Sequence, residues 1–393
     1  MKELFGNRVF RIIMTTDIIQ QLCIWIRNIS VLFFIIEKTD ADPVAVSLIT
    51  VFEYLPMFVF SYIGGTLADK WNPKRTMIIG DFLSSVSVFL ILLFISQGLW
   101  QMVFAATLMS SLVSQFSIPS SNIMFKRHVD EKLINSAISL SQCWQSIFLI
   151  VGPVFGTLLY GKAGITASLV VIAVMFFISS MVQLLLPDSK KEVSILKTSV
   201  FKDMKEGIRY VKYNSGLKVI SILYILLGFA QGLTQPLAVY IVTERLGIAK
   251  EYLQWLYSIF GVGLLIGAIM AALFVNRFKI KLILFLGMIV FSFTTTLEAL
   301  STIVSITSIT YFFAGAVLAF LQVALSSPLI KSVSEEFIGR ISGLVTPLLT
   351  GGILIGSSLS GVLAKQISII PLFLISSILM IICAFVSLLY KDK

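Results

Sequence analysis

Apolar residues run along this chain in blocks, and each block ends in a short cluster of polar or charged residues. Twelve blocks occupy residues 10–36, 44–68, 74–95, 99–120, 134–159, 164–186, 218–242, 252–275, 281–301, 306–329, 339–364 and 369–390. A helix needs about 20 apolar residues to cross the hydrocarbon core of a bilayer, so each block predicts one membrane-spanning helix. Helices satisfy their backbone polar groups internally, as lipid demands. The blocks are apolar on all faces rather than alternating, which argues against a β-barrel. The pattern breaks over residues 187–217, a basic and partly amphipathic segment. There Phe201, Met204, Ile208 and Val211 recur at helical spacing and predict a helix lying on the inner membrane surface. The expected fold class is an all-α polytopic membrane protein with twelve transmembrane helices in two six-helix halves. The N-terminal half covers 1–186, the linker 187–217 and the C-terminal half 218–393.

The second half weakly repeats the first. Residues 129–137 read VDEKLINSA and residues 333–341 read VSEEFIGRI, 204 positions later. Each precedes a glycine-containing span. The eighth span ends in NRFKIK, where the second ends in a similar basic turn, but Asn276 stands in place of Asp69. Parallel duplication of this kind is a known way to build a transporter from two related halves.

Composition sharpens this picture. The chain is 57% hydrophobic and 13% charged, against about 25% charged in a soluble domain. Its net charge of +10 would suggest a nucleic-acid partner in a soluble protein; here the bases mark topology. With the N-terminus cytoplasmic, the inner segments hold 24 of the 30 Lys and Arg residues, the outer segments hold 5, and Arg27 lies within a span. That asymmetry predicts cytoplasmic termini. The start of the chain lacks a cleavable signal pattern. Cys23, Cys143 and Cys383 fall in apolar blocks and suit small core residues rather than disulfides or a metal cluster. No cofactor and no metal are expected. His128, the single histidine, reads as an exposed loop residue.

Residues 61–81, SYIGGTLADKWNPKRTMIIGD, link the second and third spans through a tight charged turn. An acid and several bases at a membrane surface can pin helix ends and let them go again. Small residues such as Gly64 and Gly65 permit close helix contact. This stretch resembles the signature between the second and third helices of the major facilitator superfamily, roughly G-x-L-a-D-R-x-G-R-K. Gly65, Leu67, Ala68, Asp69 and Lys70 match; Asn72 replaces a glycine, and Pro73 interrupts before Lys74 and Arg75 restore the basic run. Gly152, Pro153 and Gly156 are similar to the fifth-helix G-P-x-x-G pattern of exporters in that superfamily. Proline removes a backbone donor and glycine allows close approach, so the expectation is a bend that shapes a contact between the halves. The resemblance implies gating roles for Gly65, Asp69, Lys70, Arg75, Asp81, Gly152, Pro153 and Gly156. It also implies alternating access around a cavity lined by spans one, four, seven and ten, in a bacterial inner membrane. The nearest likeness is to the macrolide-efflux and enterobactin-exporter group.

Polar residues inside apolar spans are expensive and mark function. Candidate cavity residues are Gln21, Asn28, Gln115, Gln142, Gln145, Gln231, Gln235, Glu298 and Gln322. Asp17 and Glu53 are candidate proton carriers; Arg27 and Glu53 fall ~13–14 Å below the same surface at 1.5 Å rise per residue. The chain has no G-x-x-x-x-G-K-S/T, so it carries no phosphate-binding loop of that type. The reading is a secondary exporter of a bulky, partly apolar small molecule, drug-like or siderophore-like, working by proton antiport. A lysophospholipid or glycolipid flippase of the same fold is the alternative. An enzyme acting on lipid lacks a nucleophile or metal motif here, and a receptor would need no repeated half. The expected partners are a small-molecule substrate, protons and membrane lipid, with neither nucleic acid nor an obligatory protein partner.

Overall fold

The computed structural model describes residues 2–188, 209–331 and 335–390. It describes their side chains except at 2, 61–70, 276, 330, 331, 335–344 and 346. The described residues form helices and no strand. A short helix, Lys2–Gly6, precedes α1 (Arg8–Lys38), α2 (Pro43–Lys70), α3 (Pro73–Ser96) and α4 (Val103–His128). The stretch Glu131–Gln183 is helical over 53 residues but bends at Gly164, where φ is 70° and ψ is −172°. It therefore comprises α5 (131–163) and α6 (165–183). The second set is α7 (Ser215–Thr234), α8 (Leu253–Phe274), α9 (Ile280–Leu300), α10 (Val304–Lys331), α11 (Glu335–Ile367) and α12 (Ile369–Ser387).

Eleven stretches are long and apolar enough to cross a membrane, and the longest of them is the α5–α6 pair. These are the twelve expected spans of a multi-pass membrane protein. Their outward faces carry large apolar side chains such as Phe89, Phe177, Leu286, Phe293 and Phe385, the surface that lipid solvates. The expected surface helix falls largely on residues 189–208, outside the described residues.

Three local departures have physical causes. Span seven loses its α-helical form at Gln235–Leu237, because Pro236 has no N–H for the ladder. It resumes as a π turn over Ile241–Arg245. His128 is the last residue of α4 rather than a loop residue, and Asn7 donates to its carbonyl at 2.7 Å. Cys143 is exposed, unlike the buried Cys23 and Cys383, because it shares an outward face of α5 with Gln142 and Gln145.

The helices form two compact units. One comprises residues 1–38 and 59–197, the other 39–58 and 198–393. The helix α2 thus contributes to both. Its first part packs on α11, where a side chain at Gly361 would overlap Pro43 and Ser47.

The repeat extends through both units at a constant spacing. Helices α5 and α11 begin at Glu131 and Glu335, 204 residues apart. The turns that end them, Gly164 and Ser368, are also 204 apart and share one conformation: φ 70°, ψ −172° and φ 67°, ψ 175°. Gly152 packs on Trp25 of α1, and Gly356 packs on Phe229 of α7, again 204 residues on for both partners. Ser85 of α3 donates to the carbonyl of Ala173 of α6 at 2.7 Å. Its counterpart Ser292 of α9 donates to that of Ser377 of α12 at 2.9 Å.

Candidate functional site

The first unit carries its polar chemistry on faces of α1, α3, α5 and α6 that are otherwise apolar. Asp81 sits two turns into α3, after a start set by Pro73 and by Asn72, whose side chain accepts from the Arg75 N–H at 3.2 Å. Only 1% of Asp81 is exposed. Gln20 of α1 donates to both of its oxygens at 2.9 Å. From α6, Ser179 donates at 2.5 Å and Gln183 at 2.8 Å. One carboxylate thus ties three helices together. Ser180 adds a bond to the Ile78 carbonyl at 3.1 Å.

Asp17 lies less than one turn before Gln20 on α1, and Ser141 of α5 donates to it at 2.7 Å. The two carboxylates are near enough for their charges to repel. Further along α1, Arg27 is buried and donates twice to Asn28, at 3.1 and 2.7 Å. Near the end of α1, Tyr160 of α5 donates to Glu37 at 2.6 Å.

Gly152 and Gly156 bring α5 against α1. A Cβ at Gly156 would lie 2.8 Å from Ile29 Cβ and 2.9 Å from the Trp25 carbonyl oxygen. This corrects the expectation that Gly152, Pro153 and Gly156 shape a contact between the halves. Their glycines contact α1 within the same unit, because that is where the α5 backbone runs closest to a neighbour. Gln21 and Gln115 are half-buried, and Gln115 bonds within α4 to Ser111 and Ser114. Gln142 and Gln145 are exposed.

The turn before α3 opens on a groove of about 660 Å³ between α3 and α4. Asn72 and Arg75 edge it, and Ile79, Leu83, Leu112 and Phe116 give it an apolar floor. The ring of Trp71 lies 5.4 Å from that of Phe116. Lys74 is turned toward Asp188, 3.0 Å away. The side chains of Gly65, Asp69 and Lys70 lie outside the described residues.

In the second unit Glu53 of α2 lies close enough to Tyr54 and Tyr257 for its charge to act on both hydroxyls. Tyr54 hydrogen-bonds the side chain of Gln235. Glu298 of α9 stands in the same relation to the buried Tyr311 of α10. Gln231 is half-buried and Gln322 exposed. Arg27 belongs to the first unit and Glu53 to the second.

Reasoning from the sequence singled out Asp81 but missed its partners Gln20, Ser179 and Gln183 as a set. A signal existed: Ser179 and Gln183 are one turn apart on an apolar span, the spacing that puts both on one face.

Comparison with known proteins adds the following. A family model described as a transmembrane secretion effector matches residues 4–392. Macrolide efflux protein A of Streptococcus pyogenes is 24% identical, over 92% of this chain and 90% of its own length. An MFS-type transporter of Bacillus subtilis, YfiS, is 24% identical over 99% of this chain and 95% of its own. Among solved structures, the nucleoside transporter NupG superposes with a TM-score of 0.81 at 14% identity, covering 98% of this chain and all of that one. A D-xylose–proton symporter gives a TM-score of 0.72 at 12% identity, covering 96% of each chain. At such identities these structures show a shared fold.

Proposed function

Because the chain belongs to the transmembrane secretion effector family of major facilitator transporters, we propose that it exports a bulky, partly apolar small molecule from the cytoplasm. The observation that carries this reading is its near end-to-end match to macrolide efflux proteins. Export is driven by proton antiport through alternating access. The support is a set of carboxylates, Asp17, Asp81, Glu53 and Glu298, inside spans where an ionised acid is costly. Asp17 and Glu53 carry protons. The polar residues of the spans contact the solute, and the charged turn before α3 gates. The protein lies in a bacterial cytoplasmic membrane with both termini inside, as the distribution of its bases supports.

The test uses inverted membrane vesicles and radiolabelled erythromycin as the macrolide. An imposed pH gradient should drive accumulation above that of empty vesicles, and a protonophore should abolish it. Equal accumulation with and without the protein would remove macrolides as substrates. Accumulation indifferent to the protonophore would remove proton coupling.

A further inference from the structure

Asp81 is a buried anion whose hydrogen-bond partners are all neutral: two primary amides and a hydroxyl. Each of these groups can donate or accept. A carboxylate that serves only to hold helices together is best matched by Arg, Lys or backbone N–H, which donate only. Here the surroundings suit both forms of the acid. While Asp81 is ionised, the amides donate. Once it takes a proton on one oxygen, an amide that turns over presents its carbonyl to the new O–H. The carbonyl oxygen of Gln183 is wholly buried and has no partner among the described residues, so it is placed to accept.

The repeat supplies an independent argument. At the spacings that relate the two units, Asp81 corresponds to Met288, Ser179 to Cys383 and Gln20 to Tyr224. Met288 and Cys383 are fully buried and belong, with Tyr224 packed against them, to the apolar core of the second unit. The same helix junction is therefore built without a carboxylate. Packing alone suffices there, and replacing buried ionic groups by apolar ones is often neutral or stabilising. The fold does not demand Asp81.

We propose that Asp81 is a proton-binding site of this transporter, gaining and losing one proton in each transport cycle. The proposal rests on the ion-coupled reading above and adds a third acid to Asp17 and Glu53. The titratable groups facing Asp81 among the described residues come from α1, namely Asp17 and Cys23. Arg27 lies further along the same helix, and α6 presents only neutral side chains. Protonation of Asp81 removes its repulsion with Asp17 and halves the negative charge of the pair.

The experiment is a pH titration of the purified full-length protein in lipid, followed by the infrared carbonyl stretch of protonated carboxylic acids. Wild-type protein should show a titrating band that shifts in heavy water. Asp81→Asn should remove part of this band that Asp17→Asn and Glu53→Gln retain. An undiminished band in Asp81→Asn overturns the proposal. Should that variant fail to insert, Gln183→Met keeps the acid and changes only its partner. A displaced midpoint is then expected, and an unchanged one overturns the proposal. In vesicles, Asp81→Asn should lose uphill erythromycin accumulation, and wild-type accumulation would remove it from the coupling step. The infrared arm needs no solute, so failure of wild-type protein to move erythromycin rejects the macrolide reading and leaves the proton site to be decided by the band.

Discussion

Ser368 occupies a backbone region that only glycine enters freely. Its counterpart 204 residues earlier is Gly164, in nearly the same conformation. No side-chain cap hydrogen bond at Ser368 offsets the strain. Ser368→Gly should therefore stabilise the protein by ~1 kcal/mol, after allowing for the extra freedom glycine gives the unfolded chain. Gly164→Ser should do the reverse. Thermal melting in detergent reads both, and a Ser368→Gly protein that melts no higher than wild type rules out the strain. At this scale the sequence was partly legible. Asp81 was marked by its place after the charged turn, because an acid in an apolar block is conspicuous. Gln20, Ser179 and Gln183 were less so, because serines and glutamines recur through these helices. Only the three-dimensional junction of α1, α3 and α6 selects them.

Element boundaries followed from a simple rule, that apolar blocks cross lipid and charged clusters stop at its surface. The rule could not show that α5 and α6 meet at a single residue, since one glycine leaves no gap in the hydrophobic pattern. Nor could it show the bend at Pro236, because the block runs on past the missing N–H. Helix α2 illustrates how an end is fixed. Asp42 accepts from the Val44 N–H at 2.9 Å, and the Lys365 ammonium lies 2.9 Å from both its oxygens. Partial burial works to raise the Asp42 carboxyl, but the Lys365 and Val44 hydrogen bonds and the Lys365 charge outweigh it and hold it below the ordinary value of 3.8. A depressed acid favours the folded state above its unfolded value and loses that contribution as pH falls through the folded one. The α2–α11 contact should thus be intact at neutral pH and weaken below about pH 4. Asp42→Asn should flatten the acid side of a melting-temperature profile and leave the alkaline side unchanged; an unaltered acid side would show that the pair contributes nothing to stability.

For the whole molecule, the distribution of bases predicts which surface faces the cytoplasm. In a Cys143→Ser background, which removes the exposed native thiol, a cysteine at Lys162 should react with an impermeant reagent added to intact cells. One at Lys197 should react only after permeabilisation, and the opposite pattern would invert the topology. The twofold repeat was legible through one pair of similar segments. The sharing of α2 between units was not, because its apolar character does not change at Phe58. The repeat also has a consequence for heredity. In the second unit α7 crosses α11 at Gly232 and Gly356, and α8 crosses α10 at Gly263 and Gly315, with backbone where a Cβ would be. Every single-base change in a glycine codon that specifies another residue adds that carbon. Such a codon has no conservative missense neighbour, so at these crossings the gene can vary silently or else must move a helix.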